Sequence, residues 1–204
     1  MPDFIGLLKQ EVVPAEGCTE PIAVAYATSV ASEQLRAGAK DIKSIRLLLS
    51  TNIIKNALGV GIPGTGTVGI EIAAALGAVI RRSDQKLEVL AAFSDEQLVY
   101  ARKMVDDEVV HIGQKQTDEQ LYIEVLICTK NQESSRAIVC RSHTNIVFIE
   151  HNDAVLLDKP VSVAGAKQCG TGLTLDSIYK FATEVDAEDI AFLLECVIPN
   201  MRVS

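Results

Sequence analysis

The spacing of hydrophobic residues changes along the chain. Residues 3–12 place Phe4, Ile5, Leu7, Leu8 and Val12 at roughly helical intervals, and Pro14 closes the segment. From Pro21 to about Arg36 the chain is dense in Ala and Val. That predicts a central buried helix whose small side chains let neighbours come close, with Gly38 placed to stop it. In residues 41–51, Ile42, Ile45, Leu47 and Leu49 mostly alternate with polar positions, the mark of a strand with one buried face.

Glycines at 59, 61, 64, 66, 69 and 77, with Pro63 among them, interrupt the pattern. Gly59 to Gly66 therefore reads as a loop, because so much backbone freedom opposes helix and strand alike. Helical character resumes over 68–80, and residues 84–105 read as one or two surface helices, with Ser94 and Gln97 in capping-box spacing. From Glu108 the period falls to two. Segments 121–128, 136–140, 145–150 and 154–158 are predicted strands separated by turn-forming residues, an antiparallel meander. A flexible stretch with Gly165, Gly170 and Gly172 precedes two further predicted helices, 174–183 and 187–197. The expected fold class is α+β, one domain over 1–204, with Ala-rich helices packed on an antiparallel sheet.

Composition narrows the function classes. Hydrophobic residues make up 48% of the 204, but there is no Trp and only 4% aromatic, so packing must rest on aliphatic side chains. The net charge is −8 with scattered Lys and Arg, which argues against a nucleic-acid or anionic-membrane surface and favours a small-molecule or protein partner. No apolar run reaches the roughly 18–20 residues that span a bilayer. The N-terminus lacks the pattern of a signal peptide. Five widely spaced cysteines without a CxxC pair point to a reducing cytoplasm rather than a disulfide scaffold. No zinc or iron–sulfur spacing closes within the chain.

Candidate chemistry centres on 16–21, Glu-Gly-Cys-Thr-Glu-Pro. Cys18 and Thr19 fall at the start of the Ala-rich helix, where free N–H groups and the helix dipole favour a thiolate or a substrate carboxylate. The plainer reading makes Thr19 a helix cap and Cys18 a small buried residue. Asn52, Lys55 and Asn56 precede the Gly-rich loop and either contact a ligand or form a solvated helix face. That loop has neither GxGxxG after a strand nor GxxxxGK[ST], so it does not read as a phosphate cradle. His143, Thr144 and Asn145, in a polar interruption of the meander, are either hydrogen-bonded structural residues or binders of a polar substrate.

Four stretches, EVVPAEGCTEP, NIIKNALGVGIPGTGTVGIEIAAALGA, SHTNIVFIE and TLDSIYKFATEVDAEDIAFLLE, together resemble the L-cysteine desulfidase family, which is related to the iron–sulfur L-serine dehydratases. The likeness covers essentially the whole chain. It implies a [4Fe-4S] lyase that converts L-cysteine to pyruvate, ammonia and sulfide, with cysteines holding the cluster and one iron open as a Lewis acid. Carried over by motif, Cys18 is a cluster ligand. Thr19, Glu20, Asn52, Lys55, Asn56, His143, Thr144 and Asn145 are pocket candidates, with Lys55 and His143 as the possible bases.

Members of that family continue into a second, cysteine-bearing half. The expectation is therefore an N-terminal half in which Cys128, Cys140, Cys169 and Cys196 are structural. The cluster belongs to the complete enzyme and is not expected on this chain by itself. L-serine is the competing substrate. A non-catalytic amino-acid-binding module, or an assembly piece completed by a C-terminal-half chain or by self-association, are the other readings. The Cys18 turn, the Gly59–Gly69 loop and the His143 segment are expected to converge on one pocket.

Overall fold

The computed structural model describes residues 2–12, 17–160 and 173–195. The chain forms two compact units, one of Ala15–Val161 and one of Met1–Pro14 with Ser162–Ser204.

In the second of these, α1 (Phe4–Glu11) begins where the Asp3 carboxylate accepts from the Gly6 N–H at 2.8 Å. Phe4 is buried and its ring stacks on Phe181, with centroids 4.6 Å apart. Phe181 belongs to a helix over Leu175–Glu184 that opens with a Thr174–Ser177 capping box. Residues 187–192 are turns rather than the start of the expected helix, and helical structure begins at 193. The glycines at 165, 170 and 172, with Cys169 and Cys196, lie outside the described residues.

The Ala15–Val161 unit is a sheet with helices on one face. Helix α2 (Thr19–Glu33) is buried from Pro21 through Ser32, and strand β1 (Ile42–Leu49) follows. Ser50 then opens a short helix, α3 (Thr51–Ala57), where the sequence pattern extends the strand to 51. The Gly-rich segment is not all loop: β2 (Gly61–Ile62) and β3 (Thr67–Val68) pair antiparallel. Gly64 and Gly66 supply the left-handed turn between them, with φ of +71° and +64°. Next come α4 (Ile70–Ile80) and α5 (Asp95–Asp106), the latter with its Ser94–Gln97 capping box formed. Strands β4 (Val110–Gln114), β5 (Tyr122–Thr129), β6 (Ser134–Cys140), β7 (Ile146–His151) and β8 (Ala154–Asp158) complete the unit.

The strand order is β4-β1-β5-β6-β7-β8. From β1 outwards to β8 every pairing is antiparallel, and the expected meander is β5 to β8. The sheet is nevertheless mixed, because β1 pairs β4 in parallel. That pairing requires a crossover, and α3, α4 and α5 make it. The periodicity misses β4 because it is only five residues long and contains His111, Gly113 and Gln114.

Ile45, Leu47, Leu49, Ile123, Val125, Ile127, Ala137 and Val139 point to the helix side and expose no surface. Burial of each large aliphatic among them stabilises by about 1.5–3 kcal/mol. Helices α2 and α4 approach so closely that a Cβ on Gly77 would run into the Ala25 carbonyl oxygen. Ser32 Oγ donates across the same contact to the Ala78 carbonyl at 2.8 Å.

Candidate functional site

Three segments meet at the N-terminus of α2. The helix starts at Thr19, two residues before Pro21, and Cys18 occupies the cap position without a side-chain capping bond. Pro21 still falls within the first turn, where its missing N–H leaves no intrahelical bond unmade. Gly17 turns the chain into the helix at φ +111°, and a Cβ there would sit 3.2 Å from Pro63 Cγ. The Gly-rich segment therefore abuts the cysteine turn.

Glu20 is the hub. Its Oε2 accepts from the Cys18 thiol at 3.1 Å and the Thr19 hydroxyl at 3.3 Å, and its Oε1 accepts from Asn56 Nδ2 at 3.1 Å. Burial alone would raise the Glu20 pKa. The bonds from Cys18, its own backbone N–H and Asn56, with the field of His143, outweigh that and hold it below the ordinary glutamate value. The Cys18 thiol is pushed the other way, first by burial and then by the Glu20 carboxylate that it bonds. Cys18 is therefore kept as a thiol and not as the thiolate that a bare helix N-terminus favours.

His143 is half-buried in the loop between β6 and β7. Burial lowers its pKa, and the Glu20 carboxylate opposes that only in part, so the imidazole is neutral at neutral pH. Asn145 closes this loop: its Nδ2 donates to the Cys140 carbonyl at 2.9 Å, and its backbone carbonyl accepts from the Cys140 N–H. The Thr144 carbonyl accepts from Tyr26 Oη at 3.4 Å, which ties the loop to α2.

The candidate residues thus separate. Cys18, Thr19, Glu20, Asn56 and His143 are gathered about one carboxylate. The contacts of Asn145 and Thr144 hold the loop itself. Lys55 and Asn52 are exposed on α3 and form no hydrogen bond or ion pair among the described residues, although Asn52 lies one turn before Asn56 on the same face. Tyr26 and Gly17 are site-building residues that pattern reading passes over. Tyr26 carried a signal, as an aromatic hydroxyl two helical turns after Thr19 in a run of Ala and Val.

Among the described residues no group of three or more His, Cys, Asp or Glu side chains is placed to hold a metal ion. Cys128 and Cys140 lie on β5 and β6 as free cysteines. The described residues therefore do not by themselves fit an iron–sulfur cluster. Among them no helix is long and apolar enough to cross a membrane.

No family model matches the chain. It is 46% identical over 202 residues to a UPF0597 protein of Clostridium perfringens strain SM101, an alignment covering 98% of this chain and 46% of that protein. A UPF0597 protein of Phocaeicola vulgatus is 43% identical over 194 residues, covering 94% of this chain and 44% of its own length. One from Vibrio parahaemolyticus is 39% identical over 195 residues, with 94% and 45% covered. The chain spans about half the length of the curated relatives it matches. None of these names refers to a cysteine desulfidase or a serine dehydratase.

Proposed function

We propose that the chain is the substrate-side domain of a lyase that eliminates the β-substituent of a small L-amino acid, L-cysteine first and L-serine as the alternative. The observation that carries this reading is the gathering of Cys18, Thr19, Asn56 and the neutral His143 around the Glu20 carboxylate at a helix N-terminus. Apart from Cys18, each group matches one part of such a substrate. The Thr19 backbone N–H at the start of α2, with the Thr19 hydroxyl, receives the α-carboxylate. Glu20, kept ionised, receives the ammonium group, and the Asn56 amide orients it. The neutral imidazole of His143 accepts the α-proton, after which the Cβ–S or Cβ–O bond breaks and the leaving group takes up a proton. The resulting enamine becomes an imine that water hydrolyses to pyruvate and ammonia.

The described residues do not by themselves build the cluster that the family resemblance implies. It belongs, with its other ligands, to the complete protein. A C-terminal-half chain or self-association is the partner expected to supply them. A second reading, a module that binds the amino acid without turnover, is favoured by the exposure of Lys55, the other candidate base, on α3 with no bond to the Glu20 cluster.

The test is anaerobic addition of L-cysteine or L-serine to the chain. The His143 ring and Asn56 side-chain amide are followed by NMR while sulfide and pyruvate are assayed. Shifts at both residues that vanish in Glu20→Gln support the site. Shifts without product identify the binding module. No shift with either amino acid overturns both readings.

A further inference from the structure

The sheet face turned away from α2 and α4 carries a cavity of about 240 Å3, lined by Arg46, Leu48, Glu124, Leu126, Arg136 and Glu150. Strand register explains why these six meet. Arg46, Leu126, Arg136 and Glu150 form one row across β1, β5, β6 and β7, and Leu48 opposite Glu124 begins the next. The charges around the cavity are not equivalent. Glu124 is buried and saturated: Oε1 pairs with Arg136 Nη2 at 2.6 Å, and Oε2 accepts from Tyr122 Oη at 2.7 Å and Lys115 Nζ at 3.1 Å. Arg136 is committed to that pair and lies over the Phe148 ring.

Arg46 and Glu150, at the two ends of the row, form no hydrogen bond or ion pair among the described residues. Their strands are three spacings apart, about 14 Å at the backbone. That is too far for the side chains to satisfy each other, yet both reach the same cavity. The Arg136 Nε between them is buried and has no hydrogen-bond partner among the described residues. The floor is aliphatic, made by Leu48 and Leu126. A ligand suited to this arrangement has an anionic end for Arg46, a cationic end for Glu150, and a small apolar body.

We propose that this cavity binds a small zwitterion, with a carboxylate and an ammonium group on one aliphatic scaffold. A simple anion leaves Glu150 without a partner, and a simple amine leaves Arg46 without one. The site lies on the opposite face of the sheet from the Glu20 cluster and is independent of the lyase reading.

The test uses the full chain and three probes of one shape: L-valine, isovalerate, which lacks the ammonium group, and isobutylamine, which lacks the carboxylate. Backbone amide NMR is expected to show saturable shifts at Leu126, Arg136 and Glu150 with L-valine, and at least about tenfold weaker binding of the other two. Arg46→Gln and Glu150→Gln should each weaken L-valine by about tenfold. Both are open positions on the sheet face, so folding is expected to survive, and thermal melting checks it. Glu20→Gln should leave the affinity unchanged. No saturable shift, equal binding of isovalerate, wild-type affinity in Arg46→Gln, or loss of the shifts in Glu20→Gln would each overturn the proposal.

Discussion

Asn56 Nδ2 donates to Glu20 Oε1 at 3.1 Å, and this bond joins α3 to the first turn of α2. It also leaves the amide carbonyl of Asn56 pointing away from the carboxylate, so the pair has a direction that an acid cannot reproduce.

Asn56→Asp sets one carboxylate against another. We expect a loss of about 1–3 kcal/mol at pH 7 in urea unfolding, shrinking as the pH is lowered and one carboxyl becomes protonated. Asn56→Ala, which removes the donor without adding a charge, should cost less. Equal stability of the Asp variant and the wild type at pH 7 would show that the bond is not maintained in solution.

Cys18 should react slowly with iodoacetamide at pH 8, because burial and the Glu20 carboxylate both favour the thiol. Glu20→Gln removes the charge, and alkylation at Cys18, read by mass spectrometry, should accelerate by about threefold or more. An unchanged or slower rate contradicts the assigned cause.

The His143 imidazole should titrate below 6.5 by NMR, since burial disfavours its charged form. A depressed folded-state pKa means that the unfolded chain binds the proton more readily. The stability linked to His143 is thus present above the unfolded value of about 6.5 and declines as pH falls through the folded value. His143→Gln should flatten that part of the pH–stability curve. Glu20→Gln should move the His143 pKa further down, and a movement upward would sink the proposed Glu20–His143 coupling.

Gly77→Ala forces a Cβ against the backbone of Ala25, which cannot swing aside as a side chain can. A drop of about 3 kcal/mol or more is expected, or failure to fold. Gly38→Ala is the matched control, since nothing lies within 4 Å of its Cβ position. It should be neutral or stabilising by about 0.4–1 kcal/mol. Similar melting temperatures for the two variants would refute the close contact.

Local pattern was enough for the elements whose signal is repeated. The Ala–Val run specified α2 because small side chains on every face suit a helix surrounded by protein. Period-two alternation specified β5 to β8, and the spacing of Ser94 and Gln97 specified where α5 begins. Cys18, Glu20, Asn56 and His143 were legible as polar residues at conspicuous places, but the family resemblance named Asn52, Lys55, Thr144 and Asn145 as pocket candidates on the same footing, and only the contacts set these apart from the Glu20 cluster.

Tertiary structure decided what the residues do to one another. That β4 joins β1 in parallel depends on a crossover of three helices, a non-local pairing that five weakly patterned residues cannot encode. That Glu20 is the hub depends on Asn56, 36 positions away in the chain, and that Cys18 is kept as a thiol depends on its burial beside that carboxylate. The sequence marked Arg46 and Glu150 only as charges on strands. Register alone sets them at the ends of one row, because hydrogen bonding across four strands aligns residues that chain distance does not.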